Sequence, residues 1–173
     1  YTTLFRSEKE KMERAKKAVS EEPIFELIPF KKMKAAIVNT GNEVFYGRIK
    51  DTFTPVIIEK LKEYGAEVVG HVVSDDNHEH ITAAIQKFLD EGVDMVLCTG
   101  GMSVDPDDRT PLAIKNTGAE IVTYGAPVLP GAMFLLSYYG EKKRPVIGLP
   151  GCVMYAKRTI FDLVLPRDRK SVV

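Results

Sequence analysis

Residues 99–111, TGGMSVDPDDRTP, follow the apolar run DMVLC at 94–98 and mix glycines, hydroxyls and three aspartates. Such a mixture is poor core material, because carboxylates are almost never fully buried unless they are paired or bound to a cation. A ligand-binding loop at the end of a strand accounts for it. Gly100 and Gly101 let the backbone come close to a ligand and take positive φ, and amides that run into a helix N-terminus suit a phosphate. Asp105, Asp107 and Asp108 repel that anion unless a divalent cation with oxygen ligands, such as Mg2+, sits between them. Read singly, each feature also has a plainer origin. A double glycine makes a tight turn, Asp-Pro starts one, and Asp108 lies where a helix dipole favours negative charge.

Two other segments, TGNEV at 40–44 and SDD at 74–76, also follow expected strands, so chain order brings all three to one sheet edge. Asp75 and Asp108 are the stronger candidates for metal or proton chemistry. GLPGC at 148–152 is a second glycine-proline loop, whose amides suit another anion. Cys152 falls at an expected helix start, where a thiol pKa is lowered, or else is a small residue filling a turn. His71, His78 and His80 read as solvated rather than metal-binding, since His78 and His80 do not share a helix face.

The elements that position these loops follow from periodicity and punctuation. Residues 8–22 are charged and helix-prone, with Met12, Ala15 and Val19 at spacings of three and four, and read as a surface helix. From 35 the pattern is regular: a strand AAIVNTG, a helix with Thr54 as N-cap and Pro55 at its first position, and a strand over 66–74. A helix over 77–91, the strand DMVLC, and a helix capped by Thr110 with Pro111 at its first position come next. AMFLLSYY and PVIGL then read as a hairpin joined through GEKKR, before a last helix over 151–165. This alternation implies a mostly parallel sheet covered by helices on both faces, with ligands beyond the carboxyl ends of the strands.

The formal net charge of +0 and the apolar fraction of 45% argue against a disordered tail, a nucleic-acid-coating protein and a polybasic membrane binder. Cys98 and Cys152 make no disulfide framework and match no zinc spacing, which fits a cytoplasmic protein. No apolar stretch approaches the ~20 residues of a membrane span. YTTLFRS at 1–7 and DRKSVV at 168–173 are both translations of one sequencing-adapter-like DNA string, read in its two directions. The expected division is therefore an adapter-derived start, helix and linker over 1–33, one domain over 34–167, and an adapter-derived tail over 168–173. The natural protein is expected to continue on both sides.

TGGMSV…DDRTP, preceded by VVSDD and followed by LPG and GLPG, resembles the molybdopterin-binding domain of molybdenum cofactor biosynthesis, over roughly residues 34–166. The resemblance implies a three-layer α/β/α domain. It also implies roles residue by residue. Gly100, Gly101 and Ser103, with Thr99 and Thr110, match the loop that holds the pterin's terminal phosphate. Asp108 matches the catalytic aspartate ahead of Thr-Pro, and Asp75 the aspartate after the second strand. Thr40, Gly41 and Glu43 match the start of the domain, and Asp51 an acidic position before the first helix. Asp51, Asp75 and Asp108 together are the implied Mg2+ ligands. Pro130 and Gly131, then Gly148, Pro150 and Gly151, match the distal loops.

The motif is mixed, since GGMSV is similar to the molybdotransferase branch and DDRTP to the adenylyltransferase branch. Two positions depart from the molybdotransferase pattern: Cys152 stands where asparagine is usual and Ala132 where lysine is. The resemblance thus implies a Mg-dependent molybdotransferase acting on molybdopterin or its adenylate, with molybdate. Its alternatives are an adenylyltransferase, a non-catalytic cofactor carrier or sensor, and a competence-damage-type nucleotide pyrophosphatase. Partners are expected to include neither nucleic acid nor membrane, and the assembly to be a homo-oligomer.

Overall fold

The computed structural model describes residues 8–19 and 30–168, so the expectations for 1–7, 20–29 and the last five residues fall outside the described residues. In chain order the elements are α1 (Lys9–Ala18), β1 (Lys34–Thr40), α2 (Asn42–Phe45), α3 (Phe53–Glu63), β2 (Glu67–Ser74), α4 (His78–Asp90) and β3 (Met95–Thr99). There follow α5 (Thr110–Asn116), β4 (Glu120–Tyr124), β5 (Leu135–Tyr139), β6 (Arg144–Leu149), a 3-10 turn at Gly151–Met154, and α6 (Ile160–Asp168). They form one six-stranded sheet in the order β2-β1-β3-β6-β5-β4. β2, β1, β3 and β6 run parallel, and β5 and β4 are added antiparallel.

Alternation along the central strands divides the core in two. Ala36 and Val38 of β1 and Val96 and Cys98 of β3 face Ile81, Ile85 and Leu89 of α4 and Ala113 and Ile114 of α5. Ala35, Ile37, Met95 and Leu97 face the other way, onto Ile57 and Leu61 of α3 and Phe161 and Leu165 of α6. β1 and β3, flanked by strands on both sides, are near-continuously apolar, as a doubly covered parallel sheet requires. The expected three-layer α/β/α domain is therefore present. Among the described residues no helix is long and apolar enough to cross a membrane.

Several local expectations are corrected. α3 begins at Phe53, not after Thr54, because Asp51 Oδ1 accepts both the Phe53 and the Thr54 N–H at 3.0 Å and so caps the helix itself. α5 begins at Thr110, one residue earlier than a Thr110 cap implies, since that hydroxyl bonds Gly100 instead. β4 has no counterpart among the expected elements: as an edge strand with a largely exposed pattern it lacks the apolar run that marks its neighbours. β5 starts at Leu135 rather than 132, behind a loop containing the cis Leu129–Pro130 bond. The single last helix over 151–165 is a 3-10 turn followed by α6, whose start is set by a side-chain cap: Asp162 Oδ2 accepts the Thr159 N–H at 2.8 Å and its hydroxyl at 3.1 Å. α1 ends at Ala18 and buries none of its residues.

Candidate functional site

From β1 the chain moves outward to β2 and then returns to the opposite side as β3, so the strand order reverses between β1 and β3. Ligands of open α/β sheets bind beyond the strand ends at such a point. The double glycine lies there. Gly100 has φ +85° and Gly101 φ +52°, and a Cβ on Gly100 would strike the Thr40 carbonyl oxygen and lie 2.7 Å from Thr40 Oγ1. The turn therefore sits directly on the end of β1, where only glycine fits.

Hydroxyls from two elements hold it. Thr110 Oγ1 donates to the Gly100 carbonyl at 2.8 Å and lies 3.1 Å from Thr40 Oγ1. A hydroxyl has one hydrogen, and Thr110 gives its own to Gly100, so Thr40 supplies the hydrogen between the two threonines. Both side chains are buried. Farther out, Asp108 Oδ2 accepts the Ser103 N–H at 2.6 Å, and Tyr124 OH donates to the Ser103 carbonyl at 3.3 Å. Burial and the Asp108 charge push the Tyr124 phenol up from its ordinary value. Thr40, Gly100, Gly101, Ser103, Asp108 and Thr110 are thus one contiguous group.

The other candidates form separate groups. Gly41, at φ +143°, donates its N–H to Ser74 O, and the Asn42 N–H goes to Asp76 Oδ2, tying the start of α2 to the end of β2, with Glu43 exposed beside it. Asp75 is clamped by His80, whose Nδ1 lies 3.0 Å from both carboxylate oxygens. Burial pulls the Asp51 carboxyl up, but the Thr54 and Asn39 side chains and the Thr54 and Phe53 amides outweigh it and hold it below the usual range. Asn39 and Thr99 are register partners whose buried side chains lie on the α3 side of the sheet, Asn39 beside Asp51, and the Thr99 hydroxyl makes no hydrogen bond among the described residues. Gly148 lies under Met102, whose Sδ would be 2.8 Å from a Cβ there, and Pro150 and Gly151 lead into the 3-10 turn. Gly131 packs against Ile160, and Pro130 O accepts the Ile160 N–H at 3.4 Å, so this pair braces the start of α6.

Two chemical expectations change. Cys152 starts no α-helix, and burial raises its thiol against the smaller opposing effects of a backbone bond and Lys60. His78 is half-buried, with a buried Nδ1 that has no partner among the described residues, while His71 and His80 are exposed. Among the described residues no three histidine, cysteine or acidic side chains lie close enough together to hold a metal ion. Asp51, Asp75 and Asp108 do not gather, and each already serves a local bond. Sequence reasoning missed Tyr124, Asn39 and His80. Only His80 left a signal, five residues after Asp75 at a helix start.

Known proteins match this arrangement. A family described as "probable molybdopterin binding domain" matches residues 36–170. A molybdopterin molybdenumtransferase of Synechococcus elongatus is 29% identical over 136 residues, which is 73% of this chain and 33% of that protein. A putative competence-damage inducible protein of Bacillus cereus is 30% identical over 129 residues, 72% of this chain and 31% of that one. The chain thus spans about a third of the length of these curated relatives. Among solved structures, a molybdopterin biosynthesis enzyme MoaB from Thermus thermophilus superimposes with a TM-score of 0.64 at 24% identity, covering 78% of this chain and 90% of that one. That likeness is one of fold.

Proposed function

The chain belongs to the probable molybdopterin binding domain family, and from that premise we propose that it binds molybdopterin at the β1–β3 edge and acts in molybdenum cofactor assembly as a molybdotransferase. The observation that carries this reading is the glycine turn seated on Thr40 and locked by Thr110, which presents backbone to a ligand where the strand order reverses. The phosphate of the pterin is assigned to Gly100, Gly101 and Ser103. Exposed apolar side chains on neighbouring segments, among them Phe45, Tyr46, Val104 and Tyr155, suit a planar heterocycle. Molybdate is the second substrate, and a homo-oligomer is the proposed assembly.

The donor set does not form a resident Mg2+ centre, because the three aspartates stand apart. Mg2+ commonly binds through one or two carboxylates together with substrate phosphates and water. A cation arriving with the pterin fits this chain, with Asp108, next to the phosphate loop, as its protein ligand. It would neutralise phosphate charge.

A second reading, a non-catalytic cofactor carrier, is favoured by the same dispersal of the aspartates and by Cys152 and Ala132 at positions that differ from the molybdotransferase pattern. Two experiments test these readings. Titration with molybdopterin is expected to show binding that Gly101→Val weakens at least about tenfold, since its Cβ lies 3.0 Å from Thr110 Oγ1 at a φ of +52°. Equal titration curves with intact circular dichroism overturn the site. Turnover of adenylated molybdopterin with molybdate and Mg2+ then separates enzyme from carrier, and hydrolysis of a nucleotide's pyrophosphate bond to the nucleoside monophosphate with no molybdopterin present marks the competence-damage-type hydrolase.

A further inference from the structure

The loop between β3 and α5 is clamped at one residue from two sides. Asp108 takes the Ser103 N–H from within the loop, and Tyr124 reaches the Ser103 carbonyl from the last position of β4. The place of Tyr124 is fixed independently of that bond. It is the register partner of Leu135, Leu135 is the partner of Gly148, and Met102 of the loop lies over Gly148. The contacts make a closed circuit, from the loop through β6, β5 and β4 and back to the loop. The outermost strand, three places from β3 in the sheet, is thereby tied to the turn that follows β3.

We propose that Tyr124 is a positioning residue for the glycine loop: its hydroxyl holds Ser103, and with it the turn, in the shape that receives a phosphate monoester. This rests on the molybdopterin reading above. A loop ordered before binding loses less freedom when the ligand arrives, so the hydroxyl acts on affinity. Its effect is confined to the phosphate end, because the bond is made to the phosphate loop alone. Tyr124 as a whole is 45% exposed, so removing the hydroxyl opens no core cavity. The phenol stays protonated at neutral pH, since its shift is upward, and it remains a donor.

The test is Tyr124→Phe in the full chain, titrated beside the wild type with molybdopterin and with its dephosphorylated form. The expected result is about fivefold weaker binding of molybdopterin by the variant, the size of one ordinary hydrogen bond, with affinity for the dephosphorylated compound unchanged. Amide exchange in the segment 101–107 should also quicken while the strands keep their protection. If the wild type binds and the variant binds both compounds equally well, the positioning role is overturned and the site stands. If the variant loses both affinities alike, the hydroxyl serves the fold and the proposal fails. If the wild type binds neither, the molybdopterin reading falls and this inference with it.

Discussion

Replacing Thr110 by valine removes a single oxygen at nearly constant volume, yet that oxygen closes two bonds in a buried place. Without it Gly100 O loses its donor and the Thr40 hydroxyl loses its acceptor. A buried polar group left unsatisfied costs about 1–3 kcal/mol, so Thr110→Val is expected to lower the unfolding free energy by that amount in urea titration. An unchanged midpoint would mean that water replaces the hydroxyl. At this scale the sequence is informative where residue type is restrictive. Gly100, Gly101, Thr40, Thr110, Ser103 and Asp108 are all expected in one cleft, and the structure joins them. Asp51 and Asp75 are expected as metal ligands, but Asp51 instead caps a helix while Asp75 holds His80. Carboxylates serve both purposes, and spacing along the chain does not distinguish them. Tyr124 and Asn39 are invisible in the sequence because the groups they meet lie far away along the chain.

The element that frames the far side of the cleft is held by charge. Lys60 of α3 directs its three hydrogens to Lys157 O at 3.0 Å and to Asp162 Oδ1 and Oδ2 at 2.9 and 2.8 Å, fastening the chain after the 3-10 turn to α3. Arg158 adds contacts to Glu63 and Asp162. Lys60 is 8% and Asp162 4% exposed. Lys60→Met takes the buried cation from Asp162, which keeps Arg158 at 3.4 Å and the Thr159 bonds, and is expected to destabilise by up to about 3 kcal/mol, whereas Lys60→Met with Asp162→Leu should recover part of that loss. Burial pulls the Asp162 carboxyl up, but the bonds from Lys60 and Thr159 outweigh it and hold it below the ordinary value. A depressed carboxylate contributes stability that is complete above its unfolded pKa, about 3.9, and disappears as pH falls through the folded value. The double variant should therefore lose less stability than the wild type on acidification below pH ~4, as measured by urea midpoints. Helices and buried strands are readable from period and punctuation. The break between the 3-10 turn and α6 is masked, because Val153, Ala156, Ile160 and Val164 keep a helical spacing across it, while the Lys60 bond to Lys157 O and the local Thr159–Asp162 cap interrupt the helix.

For the molecule as a whole, stability resides in the sheet and its four packed helices α3, α4, α5 and α6, and α1 contributes no buried residue. Removal of residues 1–19 is expected to leave the urea midpoint and the molybdopterin titration unchanged. A shift in either would reveal a contact between that segment and the body. The division of labour between the two ends of the sheet has a further consequence. The glycine turn, Asp51 and the loop after β6 stand at the carboxyl ends of the parallel strands. Lys31, Lys32 and Met33, which lead into β1, border a cavity of about 1140 Å³ at the opposite end, together with the β5–β6 turn and Arg167 of α6. Residues 31–33 and Arg167 thus meet on the side away from the glycine turn. With both ends gathered at the back, a segment attached at either one would leave the edge that carries the glycine turn uncovered in front.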